Sequence, residues 1–92
     1  MKGECWLCGR WRDLDKHHIF GGANRLKSEK YGLHVYLCRG CHTIRPDAVH
    51  NNADTMQKLH EYGQRKAMTE NGWDIAKFRR EFHANYLEVE KE

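Results

Sequence analysis

The stretch that decides the fold is CWLCGRWRDLDKHH at residues 5–18, and its counterpart is LHVYLCRGCH at residues 33–42. Each stretch contains a CxxC pair, and together they hold all four cysteines of the chain. Two such pairs suit one tetrahedral zinc ion, because each tight turn aims two sulfurs at a single point. A redox CxxC needs only one pair and a βαβ context, so the pattern favours structural zinc. The expected ligands are Cys5, Cys8, Cys38 and Cys41.

Composition limits the size and setting of the protein. The 92 residues, of which 39% are hydrophobic and 32% charged, predict a single domain over residues 1–92 with a thin core that needs a staple. No apolar run approaches the length that spans a bilayer, and Met1–Trp6 lacks the apolar stretch of a signal peptide. We therefore expect a cytoplasmic protein with no membrane partner. In that reducing compartment the thiols are better explained as metal ligands than as disulfides.

The charge is unevenly distributed along the chain. Residues 1–45 carry nine Lys and Arg against four Asp and Glu, whereas residues 46–92 carry seven against nine. The basic half is also the half with the cysteine pairs and most histidines. An anionic partner is favoured by this arrangement, and nucleic acid is the commonest one. An ordinary solvated surface is the alternative explanation of the same charges.

Apolar periodicity predicts an α+β fold. Leu33, Val35 and Leu37 alternate with polar or amphipathic residues as in a half-buried strand. Ile75, Phe78 and Phe82 recur at helical spacing. The expected elements are strands at 15–20 and 33–37, a loop at 21–24, a short helix at 38–43, and helices at 54–68 (with Asn52 or Asp54 as N-cap) and 74–87.

Histidines cluster around the cysteine turns and predict a second, different metal site. His17 and His18 are adjacent at the end of an expected strand, so their side chains should point to opposite faces and do different work. His42 directly follows the second CxxC pair, and His50 lies shortly after it. The remaining three, His34, His60 and His83, are expected to be ordinary surface or core residues.

These motifs resemble the HNH endonuclease family. The resemblance is carried by the first CxxC pair, DKHHIF at 15–20 and LCRGCH at 37–42. The runs HHIFGGANR, SEKYGLHVYLC and AVHNN, which lie within residues 17–52, resemble more narrowly the small phage-encoded HNH proteins. The likeness is strong over residues 5–52 and looser over the C-terminal helices.

The resemblance implies a zinc-stapled ββα-metal core at 5–50, with a helical extension at 53–88. It implies that His18 is the general base and that His17, His42 and His50 hold one catalytic divalent ion, Mg²⁺, Mn²⁺, Ni²⁺ or Zn²⁺. Asn24 is the expected residue that orients the base, with Asn51 as the alternative. An ordinary imidazole, with a pKa of about 6.5, can accept a proton at neutral pH.

The activity implied is hydrolysis of DNA phosphodiester bonds to 5′-phosphate and 3′-hydroxyl ends. The cations expected to hold backbone phosphates are Arg25, Lys27 and Arg45. The main alternative is a non-catalytic zinc module that binds nucleic acid or protein, which would have no use for His18. A third interpretation is a nuclease that acts within a larger phage recombination or packaging complex, because so small a domain offers little surface for reading a long site.

Overall fold

A three-stranded antiparallel sheet in the order β1-β2-β3 carries both cysteine turns in the computed structural model, which describes residues 1–87. Strand β1 spans Lys2–Glu4, β2 spans Trp11–His18 and β3 spans His34–Cys38. The second part of β2 pairs with the whole of β3, from Leu14 opposite Cys38 to His18 opposite His34. This register brings the end of one CxxC turn beside the start of the other.

The connection from β2 to β3 folds against the sheet through a 3₁₀ turn at Gly22–Asn24 and helix α1 at Arg25–Lys30. Ser28 fixes this helix, because its buried hydroxyl donates to the Phe20 carbonyl at 2.8 Å and accepts from the Phe20 N–H at 3.0 Å. The pairing continues past β2, since the Ile19 N–H donates to the Leu33 carbonyl at 2.9 Å. Helix α1 is therefore held close to the two adjacent histidines.

The segment after β3 forms a five-residue π-helical turn at Gly40–Ile44. The Arg45 N–H donates to the Gly40 carbonyl at 2.9 Å, which closes the wide i→i+5 turn. The Val49 N–H donates to the Cys41 carbonyl at 2.9 Å, so the following loop folds back over the turn. This fold-back places the loop residues near 50 beside those near 42.

Two helices complete the described chain: α2 at Ala53–Asn71 and α3 at Ile75–Phe82. The Asn52 side chain caps α2 by accepting from the Thr55 N–H at 3.0 Å, and Gly72 ends it in the left-handed region with φ of 66°. The Asp74 side chain caps α3 in the same way. No helix in residues 1–87 is long and apolar enough to cross a membrane.

The core lies where the end of β2 meets the C-terminal helices. The fully buried Phe20 ring has its centroid 4.9 Å from that of Phe82 and 5.5 Å from that of Phe78. Gln64, which is also buried, accepts from the Tyr86 N–H at 2.7 Å and so fixes the chain after α3. A few large rings thus fill the core, as aromatic side chains can in a small protein.

The structure confirms the mixed α+β class and differs from the sequence prediction in its element bounds. Strand β2 starts at Trp11 rather than at 15, and the short helix expected at 38–43 is a π-helical turn. Neither β1 nor α1 was expected. Helix α3 ends at Phe82 instead of continuing to 87, because His83 adopts a left-handed conformation with φ of 62°. The end of the predicted extension at 88, and of the predicted domain at 92, lies outside the described residues.

Candidate metal and catalytic site

The four cysteines form one cluster. Their sulfurs all lie within 4.8 Å of one another, and the Sγ atoms of Cys8 and Cys38 are 3.9 Å apart. Tetrahedral zinc with Zn–S bonds of about 2.3 Å requires sulfurs about 3.8 Å apart. Gly9, with φ of 74°, makes the first turn tight enough for its N–H to donate to the Cys5 carbonyl at 2.9 Å. The cluster could therefore bind a structural metal such as zinc.

The thiols of this cluster differ in acidity. Burial acts to raise the pKa of the Cys5 thiol, but backbone N–H groups nearby outweigh it and lower that pKa to about 6. Burial, together with the neighbouring thiols, raises the pKa of Cys41. Without a metal the cluster therefore favours a mixture of thiol and thiolate. A metal that binds all four sulfurs has to displace the remaining protons.

A second cluster consists of His17, His42 and His50, whose ligand nitrogens also lie within 4.8 Å of one another. The Nε2 atoms of His42 and His50 are 3.1 Å apart, close to the roughly 3.3 Å separation expected for two imidazoles on one tetrahedral zinc. The Nε2 atom of His17 is buried and has no hydrogen-bond partner among residues 1–87. Since buried polar atoms normally have a partner, this orphaned nitrogen fits a metal ligand.

Each imidazole of the second cluster comes from a different part of the fold. His17 lies on β2 opposite Val35, His42 lies on the π-helical turn, and His50 lies on the loop folded over that turn. Burial, together with the charges of the neighbouring histidines, lowers the pKa of His17 to about 4. Burial also lowers the pKa of His50. Both imidazoles are therefore neutral at physiological pH, as metal binding requires.

Asp15 contacts one histidine of this cluster and orients its ring. Its Oδ2 atom lies 3.3 Å from Nδ1 of His42 and 2.8 Å from Nε of Arg39. The ion pair with Arg39 and then the contact with His42 hold the pKa of Asp15 below its usual range. With Nδ1 facing a carboxylate, His42 presents Nε2 to the cluster, which is the arrangement that orients metal-binding histidines in proteins.

His18 leaves the end of β2 on the opposite side from His17 and contacts helix α1. Its Nε2 atom lies 2.7 Å from Oε1 of Glu29, and Lys16 Nζ lies 3.0 Å from the same oxygen. The hydrogen bond with His18, followed by that with Lys16, lowers the pKa of Glu29 to about 2. The carboxylate is therefore ionised at physiological pH and fixes the ring of His18.

The two asparagines expected to orient His18 are engaged elsewhere. The Asn24 amide donates to the Phe82 carbonyl at 2.9 Å and braces α1 against the end of α3. The Asn51 amide donates to the carbonyls of Thr43 at 2.7 Å and Arg45 at 3.0 Å, which fastens the loop over the π-helical turn. Within residues 1–87 neither amide hydrogen-bonds His18, and the group in contact with this ring is Glu29 instead.

The cations expected to hold phosphates are not equally available. Arg25 is exposed at the start of α1. Lys27 donates to the Glu81 carbonyl and lies 3.7 Å from its carboxylate, so this ammonium is tied to α3. Arg45 is exposed, and its Nε lies 3.3 Å from Oδ1 of Asp47.

Asp15 and Glu29 are the site residues that sequence reasoning missed. Both are acidic residues in a basic region, and Asp15 stands two residues before the double histidine, which is a usable signal. Glu29 gives no such signal, because its role depends on α1 folding back against β2.

In comparisons with known proteins, no protein-family model, no curated protein and no solved structure matches the chain significantly.

Proposed function

We propose that the protein is a metal-dependent endonuclease of the HNH type that hydrolyses phosphodiester bonds in DNA. The observation that carries the proposal is the second cluster, in which three imidazoles converge and the buried Nε2 of His17 has no hydrogen-bond partner among residues 1–87. A closed structural site needs four protein ligands, whereas three leave room for water and substrate. The double histidine of the HNH-like motif supplies both His17 and the adjacent His18.

In this proposal His17, His42 and His50 hold a catalytic Mg²⁺, Mn²⁺, Ni²⁺ or Zn²⁺, and the four cysteines hold a structural Zn²⁺. A bound divalent ion would supply Lewis-acid stabilisation of the charge that develops on the phosphate and on the leaving oxygen. The two clusters would therefore have different roles: the cysteine cluster stabilises the fold, and the histidine cluster takes part in the reaction. Asp15 keeps His42 in the orientation that the second cluster needs.

His18 is proposed to take the proton from the attacking water. If its Nε2–H donates to Glu29, at the observed 2.7 Å, then Nδ1 carries the free electron pair that accepts this proton. Glu29 then stabilises the positive charge that appears on the ring. Lys16 also holds the carboxylate in place, since its Nζ lies 3.0 Å from Oε1 and 3.2 Å from Oε2. The expected products carry 5′-phosphate and 3′-hydroxyl ends.

The test is plasmid cleavage by zinc-loaded protein in Mg²⁺, Mn²⁺, Ni²⁺ and Zn²⁺. The variant His18→Ala should cut about 10²–10⁴-fold more slowly than wild type, the usual loss when a general base is removed. His83→Asn is the matched control, because it removes an exposed histidine at the end of α3 while asparagine tolerates the left-handed conformation found there. Wild-type protein that binds DNA but never cuts it in any of these metals would leave the non-catalytic zinc module as the function. Cleavage by His18→Ala at the wild-type rate would remove His18 from the mechanism.

A further inference from the structure

A cleft of about 440 Å³ opens beside the cysteine cluster, and two of the four cysteines, Cys8 and Cys38, lie in its wall. Its walls combine the sulfur-bearing turns with an unusual density of arginine. The principal lining residues are Cys8, Arg10, Arg12, Cys38, Arg39 and Arg45. All four of these arginines are exposed, so an external molecule can reach their guanidinium groups.

The four arginines fall into two pairs by their contacts. Arg39 and Arg45 each have a carboxylate partner, Asp15 at 2.8 Å and Asp47 at 3.3 Å. Arg10 and Arg12 make no ion pair with any carboxylate in the part of the chain that the structure describes, although Asp13 also lines the cleft.

The arginines do not simply neutralise the cysteines. Through residue 87 no guanidinium hydrogen-bonds a cysteine sulfur. Arg12 lies on β2 and Arg10 directly precedes that strand, and residues two apart in an extended chain point to the same side. The two charges without carboxylate partners are therefore presented together to the cleft.

Two residues link the wall of the cleft to the histidine cluster. Gly40 lines it and begins the π-helical turn that carries His42. Asp15 contacts both Arg39, on the wall of the cleft, and His42, in the cluster. Through Asp15 and the π-helical turn, the wall of the cleft is therefore connected to the cluster at which the proposed reaction occurs.

We propose that this cleft binds the sugar–phosphate backbone of a nucleic-acid strand, with Arg10 and Arg12 as its principal phosphate ligands. The inference rests on the proposed function, since it names the surface that holds the rest of the substrate. Planar guanidinium groups match phosphate oxygens in a bidentate manner, and a flexible strand offers several phosphates in sequence. Of these four arginines, only Arg45 was among the cations expected from the sequence. The proposal therefore places the main DNA contact at the cysteine turns rather than at α1.

The test compares zinc-loaded wild type with Arg10→Ala/Arg12→Ala in binding to a fluorescent DNA duplex over a range of salt concentrations, without the catalytic metals. Each lost phosphate contact should reduce the slope of log affinity against log salt by about 1, so the double variant should lose about 2 and bind roughly tenfold more weakly at moderate salt. The control is Arg79→Ala/Arg80→Ala, which removes the same charge from exposed positions on α3. Zinc content is measured for all three proteins.

The proposal is overturned if the Arg10→Ala/Arg12→Ala slope equals that of wild type, or if the α3 control loses as much, which would mean diffuse attraction. It is also overturned if the double variant loses its zinc, because the arginines would then serve the cysteine cluster. These results are separable from failure of the nuclease proposal. If the protein binds DNA through the cleft but never cuts it, this inference stands and the nuclease activity is refuted. If the double variant binds DNA normally and cleavage is intact, the activity stands and this inference is refuted.

Discussion

His17 is a residue whose buried position has a measurable consequence for acid sensitivity. In the unfolded chain its imidazole should titrate near the ordinary pKa of about 6.5, whereas in the folded protein burial lowers that pKa to about 4. The unfolded state therefore binds more protons between these values, and this contribution to stability, complete above pH 6.5, is lost as the pH falls toward 4. The full loss is up to roughly 3 kcal/mol.

Protein loaded with zinc only at the cysteine cluster allows this to be checked by NMR titration of the imidazole protons. We expect the His17 signal to titrate well below pH 6 and the free energy of unfolding to fall over the same acid range. In His17→Gln the part of that fall due to this residue should vanish. A His17 midpoint near 6.5 would contradict both the burial argument and the stability slope.

Glu29 is the second residue with a specific expected effect. In Glu29→Gln the amide keeps the size of the side chain but loses the charge that stabilises a protonated His18, so kcat should fall about 10- to 100-fold while KM changes little. Glu70→Gln is a matched control, because Glu70 also pairs with a lysine, at 2.5 Å on the exposed surface of α2. Steady-state cleavage kinetics measure the difference. Unchanged kcat in Glu29→Gln would show that His18 does not depend on this carboxylate.

At the scale of elements, α2 approaches the end of β2 through a glycine. A Cβ atom at Gly63 would lie 2.5 Å from Cγ2 of Ile19 and 3.1 Å from the Phe20 ring, and both neighbours are buried. Alanine would improve helix propensity by up to about 1 kcal/mol, but overpacking costs about 1–3 kcal/mol. We expect Gly63→Ala to destabilise the protein by about 1–2 kcal/mol in chemical denaturation.

The cause of that destabilisation can be isolated with a double-mutant cycle. Ile19→Ala removes the methyl group that Gly63→Ala would strike, so the glycine substitution should cost less in that background. Equal costs in the two backgrounds would mean that the close approach of α2 to β2 is not what disfavours the side chain.

The elements that the sequence predicted are those with an apolar pattern of their own. The alternation around Val35 and the phenylalanine stripe of α3 specify β3 and a helix locally. Strand β1 and helix α1 have no such pattern, because Lys2–Glu4 is polar and RLKSEK at 25–30 lacks an apolar stripe. Both form through tertiary contacts: β1 by pairing with β2, and α1 by the buried Ser28.

In the candidate sites, too, the features that could be predicted from the sequence are the local ones. Cysteine and histidine types at short spacing predicted which side chains could hold metals, and the structure brings both sets together. Residue spacing could not show that Glu29 reaches His18, since the two lie 11 positions apart and are joined by a turn and a helix. Nor could it show that the Asn24 amide is engaged by Phe82, which lies 58 positions away. Long-range contacts of this kind depend on the packing of the whole chain.

At the scale of the whole molecule, the two metal clusters should be separable in their effects on folding and activity. The cysteine cluster joins the turn before β2 to the end of β3, so a metal there closes a loop that contains most of the sheet. The histidine cluster takes only His17 from the sheet, because His42 and His50 lie on a turn and a loop held by their own backbone hydrogen bonds. If each cluster holds a metal, loss of the metal from the cysteine cluster should unfold the sheet, whereas loss of the metal from the histidine cluster should leave the sheet intact.

Cys38→Ser and His50→Ala test this separation. Cys38→Ser should release structural zinc and cost at least about 2 kcal/mol, which for a domain of this size lowers Tm by about 8–16 °C. His50→Ala should keep the wild-type Tm and one tightly bound zinc but lose binding of the second metal and cleavage. Cobalt substitution distinguishes the sites, because only the cysteine site gives sulfur-to-metal charge-transfer absorption. If Cys38→Ser keeps the wild-type Tm, the four thiolates do not hold a metal that the fold requires. If His50→Ala unfolds instead, the histidine cluster is part of the framework rather than an open site.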